Sequence, residues 1–276
     1  MKRWLATLLV FVFCSAIVRA DVTLVQTTTI EGGMAQMAGA GGANMSPKST
    51  VFIKGMKSRT EMDAGPVSVI TITDLATKQV IILRPDQKTA TIVTATPPPA
   101  AGTGAPATPL VTLAIDASIK PTGKTQVIDG FKCDEFTFTT TMDMGKFGGI
   151  PPEAAAMLQG VKMIMAGSIW VTKDVPGGAE YIAFQKAAAA GDMASAVAGA
   201  AGVSMPGMDE MMKAMGSLDG LAYLSEMTMK VEGSGQVADM MKQMGAMKVT
   251  SRTTSIKADS LSDNLFKVPE GYTTTK

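Results

Sequence analysis

The side chains best placed to do chemistry in this sequence are methionines, which number 23 among 276 residues. Met205, Met208, Met211, Met212 and Met215 fall within one short segment. Thioether sulfur is a soft ligand that favours Cu(I), so this spacing allows a methionine-only metal site. The same intervals of three and four residues are also what a buried helical face requires. Ordinary core packing is therefore the alternative interpretation of this segment.

Other kinds of reactive site have little support. The chain contains no histidine, which removes the commonest general base and the commonest zinc ligand. Cys133 therefore has no histidine to activate it, and no serine stands in a nucleophile-elbow motif. The adjacent carboxylates Asp134 and Glu135 would point to opposite faces of a strand. We therefore expect neither catalysis nor a bound cofactor.

Residues 1–20 have the layout of a secretory signal peptide. Lys2 and Arg3 form a basic start, an apolar run continues to Val18, and Ala20 suits a signal-peptidase site. The run is shorter than the roughly 20 apolar residues that a membrane anchor needs. We expect cleavage after Ala20 and a mature protein in the periplasm or outside the cell.

The charge of the mature chain argues against two classes of partner. Cleavage leaves 22 basic and 24 acidic residues, a net charge of −2. That balance offers no basic surface for nucleic acid and no basic patch for an anionic membrane. We also expect no stable membrane span after signal cleavage. With Cys14 removed, Cys133 is the only thiol, and it is either buried or paired between two chains.

Short runs rich in valine, isoleucine and threonine predict the β-sheet that must position these side chains. The predicted strands are 22–30, 51–62, 67–74, 79–83, 89–94, 124–128, 131–139, 168–172, 224–231 and 249–256. Asp129 and Gly130 are a typical two-residue hairpin turn between two of them. Few helices separate the strands, which favours antiparallel pairing.

Two methionine-rich segments predict short amphipathic helices packed on this sheet. Segment 208–215 repeats methionine at helical spacing, and 237–247 repeats the same one-sided pattern. A third helix is predicted at 152–159, because Pro152 and Glu153 suit a first turn. The predicted ligand-binding residues are Met208, Met211, Met212, Met215, Met240, Met241 and Met244, with Trp170 beneath them.

Three stretches rich in alanine, glycine and proline, near 32–47, 97–109 and 187–202, are typical of low-complexity insertions. The remaining pattern is continuous across them. Residues 21–276 are therefore expected to form a single α+β domain, with a curved antiparallel sheet and short helices on one face.

Several strand motifs also resemble a known family when they are taken in order. They are KGMKSRTE at 54–61, ITD at 72–74, IDGFKCDEF at 128–136, IWV at 169–171 and FKVPEGY at 266–272. The set is similar to the bacterial domain-of-unknown-function family 4412, exported proteins resembling LolA-like half-barrels. This resemblance covers most of 21–276 and implies a half-barrel partly closed by helices, as in envelope carriers of acyl chains. It implies no catalytic residue.

These observations predict an exported, non-catalytic binding protein of the cell envelope. Its partner would be an apolar ligand or a lipidated envelope protein held in a half-barrel cavity. Methionine suits such a site because its flexible, polarizable side chain adapts to several partners. The alternatives are a soft-metal binder that uses the five methionines of 205–215, and a purely structural envelope protein.

Overall fold

A computed structural model describes residues 20–32, 46–63, 68–94, 111–112, 115–146, 152–190, 203–204 and 213–275. Twelve strands of this part of the chain form one curved, unclosed sheet. The strands are β1 (Val22–Gly32), β2 (Lys48–Lys54), β3 (Lys57–Asp63), β4 (Ser68–Asp74), β5 (Gln79–Arg84), β6 (Thr89–Thr94), β7 (Val111–Thr112), β8 (Ile115–Ile128), β9 (Phe131–Asp143), β10 (Lys162–Thr172), β11 (Val203–Ser204), β12 (Leu221–Glu232), β13 (Met247–Ala258) and β14 (Thr273–Thr275).

Helices occupy the connections between strands. They are α1 (Pro152–Leu158), α2 (Gly178–Ala190) and α3 (Gln236–Gln243), with 3-10 turns at Met144–Lys146 and Asp263–Phe266. A helical turn also covers residues 213–216. None of the helices in the described ranges is long and apolar enough to cross a membrane.

The strand order in the large sheet is β14-β6-β5-β4-β3-β2-β1-β13-β12-β10-β9-β8. All neighbours are antiparallel except β14, which lies parallel to β6. The chain therefore runs outward from β1 to β6, crosses to the opposite edge at β8, and returns beside β1 at β13. Strands β7 and β11 form a separate two-stranded parallel pair. This architecture confirms the predicted α+β class and the curved antiparallel sheet.

Turn residues explain where the strands begin and end. Asp129 and Gly130 have φ angles of 50° and 88°, so the predicted hairpin turn is present. Residues 51–62 were expected to be one strand, and this was wrong. A turn at Gly55, with φ of 57°, divides them into β2 and β3. The predicted helix at 237–247 also ends early, because Gly245 adopts a left-handed φ of 78° just after α3.

Helix α2 was not predicted, because its alanine-rich end resembles a low-complexity insertion. Residues 187–190 belong to this helix, and alanine is the strongest helix former. Elsewhere in the three predicted insertions, the structure describes only Gly32, Ser46 and Pro47. Residues 33–45, 97–109 and 191–202 lie outside the described residues.

The main buried cluster lies where β12 and β13 separate. Their pairing stops at Leu224 and Arg252, although β12 begins earlier and β13 continues to Ala258. Helix α2 contributes Tyr181 and Phe184 to the cluster at this opening. The buried members are Val22, Leu24, Ile53, Ile128, Cys133, Tyr181, Phe184, Leu221 and Tyr223.

The C-terminal segment covers the other half of the sheet. Phe266 packs against Ile72 of β4 and Leu83 of β5 in a second buried cluster. Two cations anchor the segment through its backbone. The Arg59 guanidinium, with a side chain only 11% exposed, donates to the Leu265 carbonyl at 3.0 Å. The Lys54 ammonium donates to the Leu261 carbonyl at 2.7 Å.

We predict that Phe266→Ala lowers the free energy of unfolding by about 3–5 kcal/mol, because it leaves a cavity at a buried aromatic site. Urea denaturation of both proteins measures this. The matched control is Val127→Thr, at a side chain that is 67% exposed, and its effect should stay within about 0.5 kcal/mol. Equal midpoints for Phe266→Ala and the parent protein would show that the C-terminal segment does not stabilise the sheet.

Candidate functional site

The predicted methionine helix at 208–215 lies mostly outside the described residues. This applies to Met205, Met208, Met211 and Met212. Met215 lies in the helical turn 213–216 and is exposed. The structure therefore describes one member of the five-methionine segment and does not test the metal site predicted there.

The remaining predicted site residues lie in different parts of the fold. On α3, Met240 is 59% exposed, while Met241 packs against a buried cluster of Val161, Val231 and Ala238. Met244 is half-buried at the end of the helix. Trp170 belongs to the α2 cluster instead.

A different set of methionines comes together on the sheet. Met165 of β10 is paired with Met229 of β12, and Met229 is paired with Met247 of β13. Residues that are directly paired, or two apart on one strand, share a face of the sheet. We call the resulting surface the methionine face; its members are Met142, Met163, Met165, Met227, Met229 and Met247.

The spacing within the methionine face brings its side chains into contact range. Directly paired residues in antiparallel strands have Cα atoms about 4.5–5.5 Å apart. Met165, Met229 and Met247 therefore form a row across three adjacent strands, and all six members are half-buried. The face is thus a methionine-rich surface that keeps part of its area accessible.

Around the row of Met165, Met229 and Met247, the charged side chains of β12 and β13 lie on the opposite face of the sheet. The Lys248 ammonium lies 3.3 Å from the Glu226 carboxylate, and these two residues alternate with Met247 and Met227. On the methionine side, the positions of β10 from 163 to 171 and of β12 from 225 to 231 carry no charged residue. Because successive side chains point to opposite faces, these strands place their methionines and their charged residues on different sides of the sheet.

Both ends of the methionine face are covered. At one end, β12 continues from Met229 to Val231, which packs with Ala238 of α3. At the other end, β10 continues to Ile169 and Val171, which pack with Leu218. Between these covers the methionines keep their partial exposure. The face therefore forms the floor of a region bounded by helical segments.

Gly167 shapes the middle of this floor. It lies on β10 between Met165 and Ile169 and is paired with Met227. A Cβ atom at this position would stand 1.9 Å from the Glu226 carbonyl oxygen, so the two backbones approach too closely for a side chain. Because glycine has no side chain, Met227 has no directly paired side chain on β10.

The methionine face was missed by sequence reasoning, although its signal was present. The run EMTMKVE at 226–232 alternates charged or polar with apolar residues at the strand period of two. The helical spacing of methionine in 208–215 and 237–247 predicted a site there instead. Which strands pair, and in which register, could not be obtained from the sequence.

A polar cluster of Asp129, Tyr223 and Arg252 holds the β8–β9 turn in place. The Arg252 guanidinium donates to the Asp129 carboxylate at 2.6 Å, and the Tyr223 hydroxyl donates to it at 2.9 Å. Hydrogen bonding from Arg252 lowers the pKa of Asp129. Burial, with the adjacent Asp129 charge, raises the pKa of Tyr223 to about 12. Tyr223 and Arg252 both donate hydrogen bonds to Asp129, so the cluster has a structural role.

Cys133 is buried and free of any disulfide. Burial raises the pKa of its thiol, which keeps it protonated and unreactive. Within the described residues, no group of three or more cysteine, histidine, aspartate or glutamate side chains could hold a metal ion. Sulfur from methionine is therefore the only soft donor that the described sheet presents in quantity.

Comparison with known proteins gives no family. No protein-family model matches the sequence, and no curated protein matches it. The resemblance to the half-barrel family stays a prediction.

We predict that Asp129→Asn lowers the pKa of Tyr223 from about 12 part of the way toward its ordinary value near 10, because it removes the nearby negative charge. Burial of the ring remains, so the shift is incomplete. Ultraviolet titration of the phenolate measures it, with Tyr223→Phe used to assign the signal. A raised folded-state pKa stabilises the protein at lower pH, and this contribution is lost as pH rises from about 10 to 12. An unchanged pKa in Asp129→Asn would contradict the arrangement.

Proposed function

We propose that this protein is an exported, non-catalytic binding protein that holds an apolar ligand of lipid size against the methionine face. The observation that carries the proposal is the in-register array of methionines on β9, β10, β12 and β13. Each methylene group removed from water contributes about 0.8 kcal/mol, so an acyl chain laid on this surface would bind favourably. Methionine side chains can adjust to such a chain because they are unbranched and flexible.

The face is large enough to contact part of an acyl chain. Three neighbouring strands span about 10 Å at the usual spacing of 4.7–4.9 Å. Two rows of methionines, separated by two residues along each strand, add roughly 7 Å in the other direction. Leu218 at one end and Ala238 at the other bound this area. The ligand could be a free lipid or the acyl chain of a lipidated envelope protein.

The fold and the signal-like N-terminal sequence support the same proposal. A curved, unclosed sheet with helices on its methionine side is what a LolA-like half-barrel would show. The signal-like residues 1–20 support export to the periplasm or beyond. Asp21 begins the chain that cleavage would leave, and its carboxylate accepts a hydrogen bond from the Leu261 amide at 2.8 Å. Cleavage after Ala20 would therefore leave this contact intact.

We predict that native mass spectrometry of the protein, purified from its own compartment without refolding, shows a non-covalent adduct of lipid mass. Met229→Gln keeps the length of the side chain and places a polar amide at the centre of the row, so the adduct should fall by about tenfold or more. A far heavier adduct would identify a lipidated protein as the partner.

The matched control is Met157→Gln on α1, at a side chain that is 63% exposed and outside the methionine face. It should leave the adduct unchanged. Equal loss in both variants would show that the methionine face does not hold the ligand. A protein that carries no adduct and takes up no lipid from added vesicles would contradict the proposal.

A further inference from the structure

Three directly neighbouring strands bring thioether sulfurs within reach of one another. Met229 lies between Met165 and Met247 in the same row, and each is directly paired with it. Met163 and Met227 stand two residues away on the same strands, so further sulfurs border the row. Methionine has three rotatable side-chain bonds, which allow three such sulfurs to converge on one point above Met229.

We infer that the methionine face is also a binding site for a monovalent soft metal ion, Cu(I), held by the thioethers of Met165, Met229 and Met247. Thioether sulfur is a soft donor, and soft donors select Cu(I) over the harder divalent ions. The inference is independent of the apolar ligand, because it depends on sulfur and not on apolar area.

The surroundings of the row fit this class of ion. Along β12, the residues that share a face with Met229 are Ser225, Met227 and Val231, so this strand offers no carboxylate beside the row for Mg²⁺ or Ca²⁺. The acidic residues of β12, Glu226 and Glu232, alternate with the methionines on the opposite face. A singly charged ion surrounded by neutral, polarizable sulfur is the cation that this face suits best.

The decisive experiment separates the effect of the thioether sulfur from the effect of side-chain volume. Replacing Met229 with leucine removes the thioether but conserves apolar volume, which protein cores tolerate well. Cu(I) is supplied anaerobically to the exported protein in competition with a chromogenic Cu(I) chelator of known affinity. We expect Met229→Leu to weaken Cu(I) binding by about tenfold or more, since one of three ligands is lost. X-ray absorption of the loaded protein should show sulfur-only coordination.

Two control variants locate the site. Cys133→Ala removes the only thiol beyond residue 20 and should leave Cu(I) binding unchanged, because this thiol is buried. A triple leucine variant at Met208, Met211 and Met212 tests the segment favoured by sequence spacing and should also retain binding. Loss of binding in either control, with retention in Met229→Leu, would overturn the inference.

The same variants separate this site from the proposed apolar one. Met229→Leu should keep the lipid adduct and lose Cu(I), whereas Met229→Gln should lose both. Circular dichroism confirms that each variant is folded. If Met229→Leu were unstable, Met165→Leu and Met247→Leu provide the same test from the neighbouring strands. Absence of Cu(I) binding in the parent protein would overturn the metal inference and leave the apolar proposal standing.

Discussion

The register between β10, β12 and β13 is the constraint on which the candidate site depends. Side chains alternate between the two faces of a sheet, so a slip of one residue moves a whole row to the other side. In the observed register Met165, Met229 and Met247 share one face, while Glu226 and Lys248 form an ion pair on the other. Contacts at both ends of the strands, through Val231 with α3 and through Ile169 with Leu218, favour this register over its neighbours.

The two halves of the unclosed sheet are covered in different ways. The C-terminal segment packs Phe266 over β4 and β5, and Arg59 and Lys54 bind its backbone carbonyls. Near the other half, β12 and β13 separate beyond their last pair, and α2 inserts Tyr181 and Phe184 into the core at that opening. The covering segments thus contribute Phe266, Tyr181 and Phe184 to the two buried clusters. The methionine face lies between these covers and is not needed to close the core.

The sequence predicted the strands well and the site poorly, and the difference has a physical reason. Valine, isoleucine and threonine mark strands locally, and Asp129-Gly130 marks a hairpin, so these features need only a few neighbouring residues. The methionine face depends on pairing between β10 and β12, which are separated along the chain by α2 and by undescribed residues. Helix α2 was hidden by its alanine-rich end, where composition and helix propensity point in different directions. The alternating run at 226–232 was the one local sign of the site.

The identity of the residues on the methionine face is not what folding alone would select. Strand interiors favour β-branched and aromatic side chains, and strands β4 and β5 of the same sheet follow that preference. Ordering a methionine side chain costs up to about 2 kcal/mol of rotamer entropy, roughly twice the cost for isoleucine or leucine. Positions where a sequence departs from local structural preference are where function is expected. Six such departures share one half-buried face, and what methionine adds there is adaptability and soft sulfur.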